Sequence, residues 1–274
     1  LPLVDQQPVQ GFSAVLPGPR AGTFAVMPDN GFGTKANSAD TLLRLYTLRP
    51  DFRRWNGSGT EGSGAVLPVD RDSGSDRAAF DERTYITLHD PDHRLGFSTV
   101  ADGAFYPYAG TGPGSPDIPV DKSIRKKRLL TGWDFDIESV RMDRKGRLWF
   151  GEEFGPFLVQ TNAHGKVLRQ EVAMPGVQSP DNPYLGNGTA NLGRSRGFEG
   201  MAIDAAGRTL FTLLEGTVTG DPAGSLRINA FDIDRAAYTG QQWLYKLEPQ
   251  GTNIGDMTAV NDHQFLVIER NGTE

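Results

Sequence analysis

The chain repeats one pattern of apolar and polar residues four times. Each copy has a polar or acidic residue, a short apolar segment, a turn, a second apolar segment and a polar cluster before glycine. Short apolar segments bounded by glycine-rich turns predict pairs of antiparallel strands. The copies start at Gly11, Asp136, Gly197 and Ile254 and read GFSAVLPGPRAGTFAVMPDNG, DIESVRMDRKGRLWFGEEFG, GFEGMAIDAAGRTLFTLLEG and IGDMTAVNDHQFLVIERNG.

Further apolar segments follow the copies and would extend each strand pair into a larger sheet. Repeated units of four strands are typical of a β-propeller, whose blades converge on a central channel. We therefore predict an all-β fold, a β-propeller of four-stranded antiparallel blades, in a single domain over residues 1–274. The additional predicted strands are Leu42–Leu48, Tyr85–Leu88, Phe157–Thr161, Val167–Val172, Leu226–Asp232 and Trp243–Leu247.

Two segments and the end of the chain depart from the repeat. Residues 56–81 and 103–128 interrupt it and are predicted to be surface loop insertions. The second ends in KSIRKKR, which is either a solvated loop or a patch that attracts anionic substrates. The last copy stops directly after its second strand, in LVIERNGTE. We therefore expect a domain that is truncated or nicked at its C-terminal end, with the remaining part of the same protein as a partner.

Composition narrows the classes of function. The 34 glycines and 18 prolines favour short strands and tight turns over long helices. The absence of cysteine excludes disulfides, zinc–thiolate sites and thiol nucleophiles. A net charge of −6 argues against nucleic-acid binding, and no apolar run reaches the length of a membrane span. Because the chain starts at Leu1 rather than Met, we expect a mature form of a secreted or periplasmic protein.

Polar residues recur at both ends of each predicted strand pair. The start of the first strand and the end of the second lie side by side in an antiparallel hairpin, so both residues sit at the same end. In a propeller these residues would ring one end of the channel; solvated turn acids are the alternative interpretation. The first-strand positions are Ser13, Glu138, Glu199 and Asp256, and the second-strand positions are Asp29, Glu153, Glu215 and Glu269.

The spacing of acids in WDFDIES indicates a metal site. Asp134, Asp136 and Glu138 would share one face of a strand, where like charges repel unless a cation neutralises them. Oxygen ligands without cysteine, and with few histidines, favour Ca²⁺ over Zn²⁺. The candidate metal ligands are Asp29, Asp136, Glu138, Glu199, Asp256 and Glu269.

The remaining candidate residues are predicted to act in catalysis or in substrate binding. Glu152 and Glu153 are neighbours, so only one can face the channel, and the repeat alignment selects Glu153. Glu153 and Glu215 are the candidate general bases. Arginines beside carboxylates form salt bridges or clamp an anionic group. The candidate substrate-binding residues are Asn30, Lys35, Arg196 and Arg270.

Several motifs, in their order along the chain, resemble the phytase-like family, labelled "esterase-like activity of phytase". They are the four copies above, together with LHDPDHRLGF. The resemblance implies a β-propeller, export from the cytoplasm, a divalent metal and hydrolysis of a phosphoester or carboxylic ester. The site positions that match the family are Asp29, Asn30, Glu138, Glu153, Glu199, Glu215, Asp256, Glu269 and Arg270.

Three functions follow as hypotheses. The first is a Ca²⁺-dependent hydrolase of small phosphoester or other ester substrates. The second is a lactonase-like propeller, in which one channel Ca²⁺ holds the lactone carbonyl. The third is a non-catalytic propeller that binds a ligand or a partner. The sequence carries no G-x-S-x-G, P-loop or G-x-G-x-x-G motif, so a serine nucleophile or a nucleotide has little support.

Overall fold

The computed structural model describes residues 7–9, 11–32, 34–107 and 118–271. Regular structure in these ranges is almost entirely antiparallel strand. The helices found there are α1 (Lys122–Lys127) and two single 3-10 turns, at Lys35–Asn37 and Val100–Asp102. None of these helices is long and apolar enough to cross a membrane.

The first sheet has five strands where four were predicted. The strands up to residue 87 are β1 (Phe12–Pro17), β2 (Phe24–Pro28), β3 (Arg44–Pro50), β4 (Arg54–Trp55), β5 (Thr60–Glu61), β6 (Val66–Pro68) and β7 (Tyr85–Thr87). β1, β2 and β3 pair in order, and β3 then pairs with β6 at one end and β7 at the other. β4 and β5 form a separate hairpin. The predicted loop 56–81 therefore contains β6, a strand of the first sheet, and the predicted loop 103–128 contains α1.

The second and third sheets each have four antiparallel strands, paired in chain order. The second consists of β8 (Ile137–Met142), β9 (Leu148–Glu152), β10 (Phe157–Thr161) and β11 (Val172–Ala173). Its outer strand is shorter than predicted, because Val167 makes only an isolated bridge to Thr161. The third sheet consists of β12 (Phe198–Ile203), β13 (Thr209–Leu214), β14 (Ser225–Asp232) and β15 (Ala237–Lys246).

The fourth sheet pairs β16 (Asn253–Asn261) with β17 (Gln264–Arg270). The first strands of the four repeats are neighbours in space: β8 contacts β1 and β12, and β16 contacts β12 and β1. The later strands of each sheet lie outside this inner layer. Sheets arranged in this way are the blades of a β-propeller, so the fold class predicted from the sequence is confirmed.

Apolar side chains fill the spaces between neighbouring blades. Neighbouring residues on a strand point to opposite faces of its sheet. Phe150 accordingly packs in a core between the first and second sheets, whereas Trp149 packs in a core between the second and third. Ile254 and Met257 of β16 pack against the third sheet. These cores fix the spacing of the inner strands and therefore the positions of the residues at their ends.

Candidate functional site

Each inner strand has a β-bulge at its repeated polar position. A bulge adds one residue to one strand and turns its side chain out of the regular alternation. The repeated polar residues thereby escape the packing between blades and point into the channel. The register shifts lie between Phe12 and Ala14, Ile137 and Ser139, Phe198 and Gly200, and Ile254 and Met257, so the displaced residues are Ser13, Glu138, Glu199 and the pair Gly255–Asp256.

A cavity of about 560 Å³ lies at this end of the inner strands. Most of the predicted metal ligands and one predicted substrate-binding residue meet on its wall, although they come from four different sheets. The carboxylates that line it are Asp29, Asp136, Glu138, Glu153, Glu199, Glu215 and Asp256, and Arg270 is the cation among its lining residues.

Two groups of three carboxylates are close enough to hold metal ions. Within each group, one oxygen from every residue lies within 4.8 Å of the others. Glu153 belongs to both groups. The first group is Asp136, Glu138 and Glu153, and the second is Glu153, Glu199 and Glu215.

Asp136 and Glu153 are buried with incomplete hydrogen bonding. Each residue is 3% exposed. Oδ1 of Asp136 and Oε1 of Glu153 have no hydrogen-bond partner within the described part of the chain. Buried polar atoms are nearly always satisfied, and a buried carboxylate without a counter-charge is costly. A cation coordinated by carboxylate oxygens would give both Asp136 Oδ1 and Glu153 Oε1 a partner. This set of oxygen ligands therefore fits a hard divalent metal.

The proton affinities of these acids support the same interpretation. Burial, and then the charge of the nearby Asp29 carboxylate, raise the pKa of Asp136 to about 7. Burial and then the charge of Glu215 raise the pKa of Glu199 to about 8. Burial and the neighbouring acids also hold the pKa values of Glu138 and Glu153 well above the usual range. At neutral pH the cluster therefore binds protons unless a cation replaces them.

Two arginines bind one side of the cluster. Arg270 Nη2 donates to Glu215 Oε1 at 2.8 Å and to Glu199 Oε1 at 3.4 Å. Arg196 Nη1 donates to Glu215 Oε2 at 2.8 Å and to Asn253 Oδ1 at 2.7 Å. Burial raises the pKa of Glu215, but both arginines oppose that rise. Glu215 is thus neutralised by protein side chains.

Asp256 is also neutralised by an arginine, one that sequence reasoning missed. Arg141 is buried, and its Nη2 lies 3.0 Å from Asp256 Oδ2 and donates to Met257 O at 2.7 Å. Asp256 lines the cavity but is bound by this partner from the second sheet, which argues against its predicted role as a metal ligand. The available signal was a charged residue inside the apolar strand SVRM.

Glu269 is not among the residues that line the cavity and lies apart from the other predicted metal ligands. Its carboxylate accepts a hydrogen bond from the Tyr245 hydroxyl at 2.5 Å and from the backbone N–H of Glu248. Glu269 and Arg270 are consecutive on β17 and point to opposite faces. Arg270 therefore occupies the cavity position that the repeat alignment had given to Glu269.

Asp134 does not share a strand face with Asp136 and Glu138, contrary to expectation. β8 begins only at Ile137, and Asp134 lies in the preceding turn, where its carboxylate accepts the backbone N–H groups of Val100 and Thr131. Its role is to hold this turn.

Glu152 and Glu153 face opposite sides, and Glu153 is the one that lines the cavity. The Glu152 carboxylate accepts the backbone N–H groups of Phe154, Gly155 and Phe157 and shapes the loop between β9 and β10. Burial raises its pKa to about 8.

Asn30 and Lys35, both predicted to bind substrate, are not among the residues that line the cavity. Asn30 is fully buried, and its backbone N–H donates to Asp136. The Lys35 ammonium lies 4.8 Å from the ring centroid of Phe154 and 5.4 Å from that of Trp133. Asn30 therefore helps to position the candidate metal ligand Asp136 through its backbone N–H. Lys35 packs against aromatic rings.

Gly197 joins the second and third blades at the site. A Cβ atom on this residue would lie 2.4 Å from Glu153 Cα. The carbonyl of Gly197 accepts the backbone N–H groups of Glu199 and Glu215. The glycine of RGFEG is therefore required for the close approach that brings Glu153 beside the acids of the third blade.

The chain shows low similarity to several solved structures. A luciferin-regenerating enzyme is 11% identical with a TM-score of 0.38, covering 94% of this chain and 56% of its own. Virginiamycin B lyase from Staphylococcus aureus is 11% identical with a TM-score of 0.39, covering 99% and 67%. The Dos1 propeller is 9% identical with a TM-score of 0.34, covering 90% and 50%. The chain thus spans one half to two thirds of these proteins.

Family membership is clearer. No curated protein matches the sequence. The phytase-like family, described as "esterase-like activity of phytase", matches over residues 7–274. That span includes all four repeats and the carboxylate cavity. The chain therefore belongs to the phytase-like family.

Proposed function

We propose that this propeller is a secreted or periplasmic hydrolase of small phosphoester or other ester substrates that requires a divalent metal, with Ca²⁺ the best fit. The observation that carries the proposal is the pair of buried, unpartnered oxygens of Asp136 and Glu153 in a cavity that also contains an arginine. The family description supports the reaction class.

Asp136, Glu138 and Glu153 would hold the ion. This group has no arginine partner within the described residues, unlike the group that contains Glu215. Ser13 supports it through a hydrogen bond to Glu138. When bound, the ion would polarise the ester oxygen and lower the pKa of a water molecule beside it. Glu153, which the sequence suggested as a general base, is assigned here to metal binding.

Glu199 is the acid best placed to accept a proton from the attacking water. It lies between the proposed metal ligands and the arginines, and its contact with Arg270 is the longer of the two that Arg270 Nη2 makes. Glu215 accepts hydrogen bonds on both oxygens from arginines, so its role is to orient them. This assignment replaces Glu215 with Glu199 as the general base.

Arg270 would bind the anionic group of the substrate. Its Nε donates to Ile254 O at 3.1 Å, and its Nη2 is held by Glu199 and Glu215. Nη1 has no hydrogen-bond partner in the described part of the chain, half of the side chain is exposed, and the residue lines the cavity. A fixed guanidinium with a free N–H group stabilises negative charge that develops on a phosphoryl or acyl oxygen.

A substrate panel tests this function. Phytate, aryl phosphates, aryl esters and lactones would be incubated with Ca²⁺ and, separately, with a chelator. We expect Ca²⁺-dependent hydrolysis of a phosphoester or ester that is lost in Glu153→Gln. Hydrolysis of lactones alone would favour the lactonase-like alternative. Ca²⁺ binding without turnover of any substrate would favour a non-catalytic propeller.

A further inference from the structure

A second cavity, of about 770 Å³, lies against the first sheet. It shares no lining residue with the carboxylate cavity. The balance of charge on its wall is positive, whereas the whole chain carries a net charge of −6. The charged and imidazole side chains on its described wall are Arg44, Arg71, Lys127, His89, His164 and a single acid, Glu82.

Arg44 has only neutral partners. Its Nε donates to Thr87 Oγ1 at 3.3 Å, its Nη1 donates to the Tyr46 hydroxyl at 3.4 Å, and its guanidinium lies 4.2 Å from the ring centroid of Tyr85. No carboxylate within the described ranges lies within ion-pairing distance of it. A half-buried cation without a counter-charge is electrostatically unfavourable, and an anionic ligand would relieve that cost.

The neighbouring groups are held in place on the same wall. Arg71 Nη1 donates to the backbone carbonyls of Glu82 at 3.0 Å and Tyr85 at 2.7 Å, which fixes this guanidinium. His89 Nδ1 lies 3.0 Å from Thr87 O. A carbonyl oxygen can only accept, so Nδ1 carries the hydrogen.

The basic run KSIRKKR contributes to this cavity. It forms α1, which buries Ile124 and places Ser123 and Lys127 on the cavity wall. Lys127 Nζ lies 3.5 Å from Glu82 Oε1, and both side chains are largely exposed. Such an exposed pair is weak, so Lys127 can exchange this partner for a ligand.

We propose that this cavity binds a small oxyanion compound with an aromatic body. The phosphate or carboxylate group pairs with Arg44, and the ring lies against Phe80 and Tyr85, which line the same cavity. Aromatic rings and cations on one wall recognise such a compound by stacking and by charge-assisted hydrogen bonds. Binding here is independent of any divalent metal and of the proposed hydrolase function.

Isothermal titration in chelator-containing buffer tests the proposal with three probes: phenyl phosphate, benzoate and inorganic phosphate. We expect one saturable site, with phenyl phosphate or benzoate binding about tenfold tighter than inorganic phosphate because of the ring contact. Whichever of phenyl phosphate and benzoate binds more tightly shows whether the site prefers a phosphate or a carboxylate group. Arg44→Gln should weaken binding at least about tenfold, as expected for loss of a charged hydrogen bond.

Two variants serve as controls. Arg94→Gln removes an exposed arginine that is absent from the cavity wall, and Glu153→Gln alters the other cavity. Both should bind the probes as the unaltered chain does. No binding to the unaltered chain, full binding by Arg44→Gln, or loss of binding in Glu153→Gln would each overturn the proposal. If Arg44→Gln does not fold, anomalous scattering from selenate soaked into crystals of the unaltered chain decides: density beside Arg44 supports the site, and its absence there refutes it.

Discussion

Arg270 Nη2 lies 2.8 Å from Glu215 Oε1 and thereby connects β17 to the residue that follows β13 in the neighbouring sheet. Arg196 binds the other oxygen of Glu215. The Arg270 guanidinium therefore lies on the cavity wall against Glu215 and Glu199, whereas the unpartnered oxygens of Asp136 and Glu153 belong to carboxylates that no arginine binds within the described residues. This division separates a place for an anionic group from a place for a cation within one cavity.

Replacing Arg270 tests the place proposed for the anionic group of the substrate. Arg270→Gln removes the charged hydrogen bonds to Glu215 and Glu199, and because half of the arginine side chain is exposed, we expect a loss of only about 1 kcal/mol in unfolding free energy. If Arg270 stabilises the reacting anion, kcat/KM should fall about a hundredfold. Arg235→Gln, at a largely exposed position, is the matched control. Equal activity of the two variants would exclude Arg270 from the reaction.

Addition and removal of Ca²⁺ test the place proposed for a cation. Binding to the folded chain alone raises stability by about 2.7 kcal/mol at a hundredfold excess of Ca²⁺ over its dissociation constant. Thermal melts with Ca²⁺ and with a chelator should therefore differ by several degrees. Glu153→Gln should abolish the difference, whereas Glu248→Gln, at an exposed position, should keep it. Identical melts of the unaltered chain in both conditions would contradict the metal site.

Substitutions of the neighbouring residues Glu152 and Glu153 should separate an effect on stability from an effect on metal binding. Glu152 accepts three backbone N–H groups, so Glu152→Gln should cost about 1–3 kcal/mol of unfolding free energy and leave the Ca²⁺ stoichiometry unchanged. Glu153→Gln should instead remove Ca²⁺ binding. It should also stabilise the chain in chelator at neutral pH, because the folded chain then no longer has to keep on this side chain a proton that the unfolded chain releases. Unfolding in urea and titration calorimetry measure the two effects. Loss of Ca²⁺ binding in Glu152→Gln alone would reverse our assignment.

The repeat itself was predictable from the sequence, because apolar spacing and glycine turns are local properties. The same alignment placed Glu138, Glu153 and Glu199 at one end of the channel, where they line the cavity. It failed at Glu269 because the repeat in β17 is offset by one residue, and a shift of one reverses the face of a strand. Arg270 takes the inward position as a result.

Interactions between blades were not predictable. Arg141 and Asp256 are far apart in sequence, and their contact depends on how the second and fourth sheets pack. The bulges at Glu138 and Glu199 likewise have no clear signature in a single sequence. Asp134 was misplaced because the spacing of WDFDIES suggested one continuous strand, whereas the turn that Asp134 holds ends before β8 begins.

Arg141→Met tests whether this arginine positions Asp256. The change leaves an acid without its cation in a largely buried place, and we expect a loss of about 3 kcal/mol in unfolding free energy. Adding Asp256→Asn should recover part of that loss, since the uncompensated charge is then gone. A double-mutant cycle from urea unfolding measures the coupling. Additive effects of the two changes would show that the pair contributes nothing beyond its separate contacts.

The pH dependence of stability without metal tests the electrostatics of the cluster. The folded chain raises the pKa of Asp136 from 3.8 to about 7 and that of Glu199 from 4.5 to about 8. In a chelator, the folded state therefore keeps protons that the unfolded chain releases as the pH rises from about 5 to 8. The unfolding free energy should fall across this window by up to about 1.4 kcal/mol per pH unit for each group.

Saturating Ca²⁺ should remove this slope, because the ion replaces the protons on the folded chain. Below about pH 4 both states are protonated at these groups, so they contribute no difference there. Glu199→Gln should reduce the slope in chelator, since one titrating group is gone and Asp136 remains. Urea unfolding at pH 5, 6, 7 and 8, in chelator and in Ca²⁺, measures each case. A chelated chain whose stability stays constant or increases from pH 5 to 8 would show that the fold does not raise the pKa values of these carboxylates, and a cation between them would then have no electrostatic basis.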